Sequence, residues 1–423
     1  MRLGILSLLG ILTLHVFGPC AALAEELPRR GDIGAAMAPP GGGKGARIVR
    51  LRPGSVLEAA GAAVGDEVFG VTRGRAGDVL TLRLKRGAAE REVRVTLPAM
   101  RRESVPGVDI VYGAAVSPRG YRVRTYTSRP HGASGRLPLV VFIPWLSCSP
   151  VENPLDVRDS WSTMLRDVMR GGGVQMVRIE KPGVADSEGP DCSEADLDHD
   201  MDAFRAGIRA ALADPGADPQ RLYLFGGSVG GALVPLLARE FKPAGIIAAG
   251  GFTQTWLEHM LDIERRRLVF SGSKPAEVNA AMRAFSGFYD RVLNRGQAPG
   301  QVLAENPAWK PFWYDAPAHQ YGRPIRYYQQ LQALDIEDAW QQVAVPTLVV
   351  WGAYDWIMGR AESDRAVAIL NAREPKLATY EIRPRMNHHF DAFPDAAAAF
   401  REEGGAYDPG AAEAMVRWLE SRR

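Results

Sequence analysis

The sequence predicts an α/β protein with a mostly parallel sheet, helices on both faces of that sheet, and a small β-rich module in front of it. Strand-like and helical runs alternate from about residue 137 to residue 250. This alternation favours parallel pairing, because parallel neighbours need a crossover connection that is usually a helix. Residues 139–143 are apolar throughout, which is typical of a strand buried on both faces.

Residues 1–24 have the layout of a secretory signal peptide. Arg2 is the only charge before an apolar run over residues 3–17, and a small-x-small pattern at residues 22–24 precedes Glu25. The alternative is a membrane anchor, but the run is shorter than the roughly 20 residues of a spanning helix. We therefore expect cleavage near Glu25 and a periplasmic or secreted protein.

Composition excludes several classes of protein and partner. The chain has 423 residues, of which 46% are hydrophobic, so it can bury a large core and is not a disordered chain. Its 51 Lys and Arg nearly balance its 49 Asp and Glu, which leaves no basic footprint for nucleic acid. No later segment is apolar for long enough to support stable membrane insertion. We expect a small-molecule ester or a peptide as the partner.

Residues 30–98 form a β-rich segment of their own. The segment resembles a bacterial PDZ domain in its Arg-Pro-Gly-Ser turn at residues 52–55, in Ala-Gly at residues 60–61, and in Val-Gly-Asp-Glu-Val at residues 64–68. Alternating apolar residues and turn signals predict a helical turn at residues 56–61 and strands at residues 45–51, 65–71, 78–84 and 92–97.

The segment departs from the PDZ family where a peptide would bind. A PDZ domain holds its peptide between a sheet edge and a second helix. Only residues 72–77 separate the strands between which that helix would lie, which is too few to form it. We therefore do not expect peptide capture in the usual groove. The interpretations left open are a module that packs against or positions the main domain, and a working peptide clamp.

Residues 108–423 carry the predicted α/β domain. Within it, residues 253–340 replace the strand and helix alternation with helical periodicity and clustered aromatic residues, and we interpret them as a helical cap over the strand ends, where such sheets bind ligands. The predicted strands are residues 108–112, 121–126, 139–143, 174–179, 221–225, 245–249, 346–352 and 378–384. The predicted helices outside the cap are residues 160–169, 194–213, 230–241, 361–371 and 411–421.

Three residues with catalytic chemistry each follow a predicted strand. Ser228 is the centre of Gly-Gly-Ser-Val-Gly at residues 226–230, where glycines permit a strand-to-helix turn that is too sharp for larger side chains. Asp355 follows the penultimate strand, and His388 follows the last one. Because ligand sites of parallel sheets lie at the carboxyl ends of the strands, the three residues are candidates for nucleophile, orienting acid and base.

This chain order of serine, acid and histidine resembles the α/β-hydrolase superfamily of serine hydrolases, which includes esterases and serine aminopeptidases. The resemblance implies the α/β-hydrolase fold. It also implies that His388 takes the proton of Ser228 and that Asp355 orients the imidazole. The adjacent His389 is the alternative base, and the spacing from Pro384 favours His388.

The same resemblance implies two backbone donors for the oxyanion. One is the amide of Val229, and the other is an amide of the loop after residues 139–143, with Leu146 the first candidate and Trp145 the second. After removal of the leader, Cys148 and Cys192 are an even pair in an oxidising compartment, which predicts a disulfide. Such a bridge would hold the oxyanion loop.

The predicted function is that of an exported serine hydrolase that cleaves carboxylic esters through an acyl-serine intermediate. One alternative is a serine aminopeptidase or related peptidase of the same fold, which would need carboxylates facing the nucleophile, and Glu258, Asp262 and Glu264 are the candidates. Another is a non-catalytic protein in which the PDZ-like module binds a partner. We expect no cofactor and no metal, because the sequence has neither a Gly-rich phosphate loop nor an H-E-x-x-H motif.

Overall fold

The computed structural model describes residues 27–38, 45–152, 159–313 and 318–422. The predicted signal peptide, residues 1–24, lies outside the described residues. In the ranges just given, no helix is both long and apolar enough to cross a lipid bilayer. The described strands form one five-stranded sheet, one eight-stranded sheet and two short ribbons.

The five-stranded sheet is the N-terminal module. Its strands are β1 (Ala35–Ala38), β2 (Ala46–Leu51), β3 (Glu67–Phe69), β4 (Val79–Arg86) and β5 (Ala89–Thr96), and its helix is α1 (Val56–Ala59). The strands pair antiparallel in chain order. The hydroxyl of Ser55 accepts a hydrogen bond from the amide of Glu58 and so caps α1. A small core around Ile48, Leu57 and Leu82 lies between the sheet and α1.

The module differs from the sequence prediction at its first strand. β1 was not predicted, because four small or flexible side chains carry no alternation of apolar and polar residues. It is a strand because it pairs with β2, with Ala35 opposite Leu51 and Ala36 opposite Arg50. Residues 70–78, which connect β3 to β4 and are all described, contain no helix, in agreement with the short spacing there.

An eight-stranded mixed sheet organises the rest of the chain. The remaining strands are β6 (Val108–Val116), β7 (Arg122–Pro130), β8 (Leu137–Ile143), β9 (Gln175–Ile179), β10 (Ala217–Gly227), β11 (Gly245–Ala249), β12 (His319–Gln320), β13 (Arg323–Pro324), β14 (Thr347–Gly352), β15 (Ala378–Arg383), β16 (Asp391–Ala392) and β17 (Ala406–Tyr407). The sheet order is β15-β14-β11-β10-β8-β9-β7-β6. Pairing is parallel from β15 to β9, and β7 is antiparallel to both of its neighbours.

Alternate residues of the central strands enter two separate cores. In β8, Leu139 and Val141 belong to one core, whereas Val140 and Phe142 belong to the other. Because successive side chains of a strand point to opposite faces, a strand covered on both faces must be apolar at every position. This is why residues 139–143 read as a continuous apolar run rather than an alternating one.

Helices lie on both faces of the large sheet and in the chain between β11 and β14. They are α2 (Ser160–Gly171), α3 (Leu197–Leu212), α4 (Val229–Phe241), α5 (Trp256–Phe270), α6 (Pro275–Tyr289), α7 (Pro299–Glu305), α8 (Ile325–Gln332), α9 (Ile336–Gln341), α10 (Arg360–Arg373), α11 (Ala396–Arg401) and α12 (Gly410–Glu420). Residues of α2 and α12 lie in one core, and those of α3 and α4 lie in the other. The chain between β11 and β14, which contains α5 to α9, is called the helical insertion below.

Capping explains where one helix differs from its prediction. The sequence predicts a helix from residue 194, but α3 begins at Leu197. The side chain of Asp196 accepts a hydrogen bond from the amide of His199, which satisfies a free N–H of the first turn and starts the helix there.

Candidate active site

The turn between β10 and α4 holds Ser228 in a strained backbone conformation. Its φ is +56° and its ψ is −126°, a region that favours glycine. The neighbouring glycines are required because other atoms approach closely. A Cβ on Gly226 would lie 2.3 Å from the carbonyl oxygen of Gly230, and a Cβ on Gly230 would lie 2.1 Å from that of Ile143. The turn therefore presents the serine at the amino terminus of α4 in a position that larger neighbours would not allow.

Ser228, His388 and Asp355 lie in a continuous chain of hydrogen bonds. The Oγ of Ser228 is 3.0 Å from Nε2 of His388, and Nδ1 of His388 is 2.8 Å from Oδ2 of Asp355. Oδ1 of Asp355 accepts the amides of Ile357 and Met358 at 2.9 and 2.8 Å. Each of the first three residues is at most 9% exposed. In the tautomer that donates Nδ1–H to the carboxylate, Nε2 faces the hydroxyl and can accept its proton.

The imidazole of His388 has room because residue 250 is a glycine. Gly250 follows β11 with a φ of +60°, and a Cβ there would lie 3.1 Å from Cε1 of His388. The ring of Trp161 packs edge-on against the imidazole, with 6.2 Å between ring centroids. His389, the alternative base, is 44% exposed at its side chain, and its Nδ1 lies 3.1 Å from Glu402. His388, and not His389, therefore lies between the acid and the serine.

The three predicted oxyanion donors, Val229, Leu146 and Trp145, line the same cavity as Ser228. Val229 is the first residue of α4, so its amide has no acceptor within the helix. Within the part of the chain that the structure describes, no backbone acceptor receives the amides of Leu146 or Trp145. The indole of Trp145 donates to the carbonyl of Ser149 at 3.3 Å, so this side chain forms part of the cavity wall.

Two buried charged residues hold the loop of residues 144–151 against the sheet. Nζ of Lys181 donates to the carbonyl of Ser147, and the carboxylate of Glu180 accepts the amide of Val151 at 3.1 Å. Burial raises the pKa of Glu180 to about 7 and lowers the pKa of Lys181 to about 8, because loss of hydration disfavours the charged forms. Both residues directly follow β9, so this strand positions the loop that carries the candidate oxyanion donors.

Cys148 and Cys192 form a disulfide, with their Cα atoms 5.9 Å apart. The bridge joins the loop after β8 to the segment between β9 and α3, and β8 and β9 are neighbours in the sheet. Arg323, which lies in the helical insertion, has its Nη1 2.8 Å from Sγ of Cys192 and its Nη2 2.7 Å from Asp200. The pairing that the sequence predicts is thus present, and it lies against the insertion.

A cavity of about 1220 Å³ has Ser228 and His388 in its wall. Its lining is rich in large apolar side chains, and the tryptophans are Trp145, Trp161, Trp256 and Trp356. The lining carboxylates that the structure describes all have hydrogen-bonding partners. These pairs are Asp32 with Arg52, Glu152 with Arg29, Asp159 with Ser162, and Asp391 with Ser160.

The three carboxylates that the sequence offered as candidates for a peptidase do not line this cavity. Glu258 is exposed and caps the start of α5. Asp262 accepts a hydrogen bond from Gln254. Glu264 is buried and pairs with Arg267 of the same helix. These three residues lie in α5 of the helical insertion, within the range predicted as a cap. The direction in which each side chain points depends on how α5 packs, which the sequence does not specify.

The sequence reasoning missed two groups of residues at the cavity. The first belongs to the N-terminal module, including Ala36 and Arg50, and no local pattern in the sequence indicates that these residues reach the cavity. The second is a buried pair, with Nδ1 of His259 2.9 Å from Glu362. His259 lines the cavity and lies within residues 253–340, the predicted cap. The glycine that follows β11, Gly250, is a sequence signal that could have indicated close packing after this strand, because it leaves space for the imidazole of His388.

The mixed sheet with helices on both faces, and the serine in the turn between β10 and α4, define a protein with the α/β-hydrolase fold. No protein-family model matches the sequence, and no curated protein matches it. Among solved structures, the chain is similar to a mutant of esterase rPPE, with 17% identity over 75% of this chain and 83% of that chain and a TM-score of 0.42. It is also similar to carboxyl esterase 2 from the mycorrhizal fungus Tuber melanosporum, with 16% identity over 77% and 91% of the two chains and a TM-score of 0.44. A third similar structure is the acylaminoacyl peptidase of Pyrococcus horikoshii, with 13% identity over 85% of this chain and 48% of that chain and a TM-score of 0.45.

Proposed function

We propose that the protein is a serine hydrolase that cleaves carboxylic esters through an acyl-Ser228 intermediate. The observation that carries this proposal is the chain of hydrogen bonds from Ser228 through His388 to Asp355, set in the wall of a large cavity. A nucleophile, a base within hydrogen-bonding distance and a carboxylate that orients the base are the groups that acyl transfer requires.

In the first half of the reaction, the Oγ of Ser228 attacks the ester carbonyl while Nε2 of His388 takes the hydroxyl proton. The bond between the carbonyl carbon and the alcohol oxygen then breaks, and the imidazolium returns the proton to the departing alkoxide. In the second half, His388 takes a proton from water as the water oxygen attacks the acyl carbon. The bond between that carbon and Oγ of Ser228 then breaks, the imidazolium returns the proton to Oγ, and the carboxylic acid leaves. Asp355 remains ionised and stabilises the imidazolium in both halves.

The tetrahedral intermediate carries a negative oxygen that needs hydrogen-bond donors. We assign the amide of Val229 as one donor and that of Leu146 as the other, with Trp145 as the alternative to Leu146. The amide of Val229 is at the amino terminus of α4, where the helix dipole also favours negative charge. Each such donor typically contributes a few kcal/mol to the stability of the transition state.

The aromatic lining of the cavity favours an apolar ester over a substrate with a free amino terminus. An ammonium group held in a mostly apolar cavity needs an available carboxylate, because an unpaired charge is costly to bury. Arginines pair with Asp32 and Glu152 of the lining, and Glu258, Asp262 and Glu264 lie elsewhere. The other two described carboxylates of the lining, Asp159 and Asp391, are hydrogen-bonded to uncharged serine groups and keep their negative charge. The aromatic lining instead suits an uncharged apolar ester.

The test compares the purified protein with Ser228→Ala and with Ser271→Ala, a matched control at the exposed end of α5. We expect p-nitrophenyl acyl esters to be hydrolysed by the wild type and by the control, with a loss of roughly 10⁴-fold or more in Ser228→Ala. A fluorophosphonate should add its mass to the wild type and not to Ser228→Ala. Turnover that depends on Ser228 for aminoacyl anilides alone would assign a peptidase. Absence of both activities would favour a binding protein.

We also propose that the protein is exported to the periplasm or secreted. The proposal rests on the signal-peptide pattern of residues 1–24 and on the disulfide, which persists in oxidising compartments. Amino-terminal sequencing of the protein recovered from its producing cells should begin at Glu25. Recovery of full-length protein from the reducing cytoplasm, with Cys148 and Cys192 as free thiols, would contradict export.

A further inference from the structure

The N-terminal module contributes part of the lining of the cavity that contains Ser228. Ala36 of β1 and Arg50 of β2 are opposite one another in the module's sheet, and both line the cavity. Leu51 and Pro53 extend this surface. A sheet that precedes the α/β domain in the sequence therefore forms a wall of the candidate active site.

Buried ion pairs hold the module at that position. Arg29 lies between Glu152 at 2.7 Å and Asp186 at 2.5 Å, and both carboxylates are fully buried. The amide of Arg30 donates to Asp186 at 2.7 Å. Arg75, which precedes β4, donates to the backbone carbonyl of Asp186 at 2.9 Å. Because a buried charge that loses its partner is strongly destabilising, these contacts favour one fixed position of the module over an open, mobile one.

The size and chemistry of the cavity define what would fill it. Its volume of about 1220 Å³ is larger than the roughly 300–1,000 Å³ of common ligand sites. From the module it receives the apolar residues Ala36, Leu51 and Pro53 together with the charged residues Arg30, Asp32, Arg50 and Arg52, and from the α/β domain it receives several tryptophans. A short acyl group would leave most of this apolar surface unfilled, whereas a long alkyl chain or a multi-ring group would cover it.

We propose that the module is a specificity-determining part of the active site, and that it binds the long or bulky apolar group of an ester whose carbonyl lies at Ser228. This inference rests on the proposed function, which places the ester carbonyl of the substrate at Ser228. The role that it gives to the module is recognition of an ester, and not the binding of a peptide at a sheet edge. The apolar group belongs to the acyl part or to the alcohol part of the ester, and both parts present the same chemistry to the wall.

The sheet of the module offers two matched pairs of positions for the test. Ala36 and Arg50 are cross-strand neighbours that line the cavity. Ala38 and Arg47 are cross-strand neighbours in the same two strands, and neither is part of the described lining. Ala36→Phe fills part of the cavity, and Arg50→Asp reverses the charge of a residue in its wall. Ala38→Phe and Arg47→Asp make the same changes outside it.

The kinetic experiment measures kcat/KM with two series of esters. One series is p-nitrophenyl acyl esters from acetate to dodecanoate, and the other is acetates of alkanols of the same lengths. We expect kcat/KM of the wild type to rise by up to about fourfold for each added methylene in one of the series, because each buried methylene contributes that factor. The series that shows the rise identifies the part of the ester that contacts the module.

In that series, Ala36→Phe and Arg50→Asp should each lower the ratio of kcat/KM for the longest ester to kcat/KM for the shortest ester at least tenfold. Ala38→Phe and Arg47→Asp should leave the ratio of long to short unchanged. If turnover depends on Ser228 but all four variants keep the wild-type ratio, the module does not determine specificity and the proposed function stands. Having two different changes at the wall means that a folding defect in one of them does not decide the result.

A binding experiment separates this inference from the reaction. In the Ser228→Ala background, dodecanoate and dodecanol are titrated while tryptophan fluorescence is recorded, since four tryptophans line the cavity. We expect at least one of the two to bind, and Ala36→Phe to raise its Kd at least tenfold, with Ala38→Phe within twofold. If the ligand binds with this pattern but the wild-type protein hydrolyses no ester, the proposed reaction is rejected and the proposed apolar binding site stands. Binding that is absent, or equal in both variants, would overturn the inference.

Discussion

Replacement of Asp355 by asparagine tests how the site orients its base. Oδ1 of Asp355 accepts the amides of Ile357 and Met358, and Oδ2 accepts Nδ1 of His388. An asparagine can keep both backbone bonds only if its oxygen stays at the Oδ1 position. Its NH₂ group then faces Nδ1 of His388, which must become the acceptor. The proton moves to Nε2, where it points at Ser228 and removes the base.

The size of the expected loss in kcat follows from the free energy needed to turn the asparagine amide into the opposite orientation. Turning the amide to restore the acceptor for His388 would leave two buried N–H groups without acceptors, at about 2 kcal/mol each. The total of about 4 kcal/mol corresponds to roughly a 10³-fold smaller population of the active arrangement. We therefore expect kcat of Asp355→Asn to fall about 10³-fold at neutral pH, with KM nearly unchanged.

The assay is steady-state hydrolysis of a p-nitrophenyl ester by Asp355→Asn. Asp364→Asn is the matched control, because this carboxylate is partly exposed on α10 and pairs with Arg360. Circular dichroism and the midpoint of thermal unfolding check that both variants fold. A loss of less than tenfold in Asp355→Asn, with the wild-type fold retained, would refute the assigned role of the two backbone bonds.

Three further predictions concern the stability of the site. In urea titrations, the free energy of unfolding of Ser228→Gly should be about 1–2 kcal/mol higher than that of Ser228→Ala, because both variants lack the nucleophile but only glycine relieves the strain at a φ of +56°. Equal free energies of unfolding would contradict the strain. Reduction of the Cys148–Cys192 bridge, whose cysteines are 44 residues apart, should lower the free energy of unfolding by about 4 kcal/mol in urea titrations with and without reductant, and an unchanged midpoint would contradict this. The free energy of unfolding should decline as pH rises from about 4.5 to about 7, because the pKa of Glu180 is raised to about 7 by burial, so the folded state keeps a proton that the unfolded state releases. Glu180→Gln should remove up to about 3 kcal/mol of this decline between pH 5 and pH 8, and an unchanged slope would show that another group causes it.

The sequence predicted the strands of the large sheet well because the pattern of apolar residues that identifies a strand or a helix is local. A strand buried on both faces must be apolar at every position, and a helix must keep one apolar stripe, so β8, β11 and α4 were found to within two residues at each end. The positions of Ser228, Asp355 and His388 follow from the same pattern, because each comes after a strand of one parallel sheet.

The choice between His388 and His389 needed more than spacing. Adjacent residues of a loop differ in direction according to backbone angles that neither residue type specifies. Here the side chain of Asn387 accepts the amides of His389 and Asp391, and Phe390 adopts a φ of +66°. These local bonds turn His388 inward and leave His389 beside Glu402.

The sequence by itself determined the α/β order of the chain, the strained serine turn, the catalytic candidates and the cysteine pair, because each depends on near neighbours or on the edge of one sheet. Only the tertiary structure decided which residues share a cavity. β1 carries no strand pattern of its own and exists through its pairing with β2. Its place in the wall of the cavity that contains Ser228 depends on Arg29 bonding to Glu152 and Asp186, which lie more than a hundred residues further along the chain. Contacts between such distant residues leave no periodic signal in the sequence.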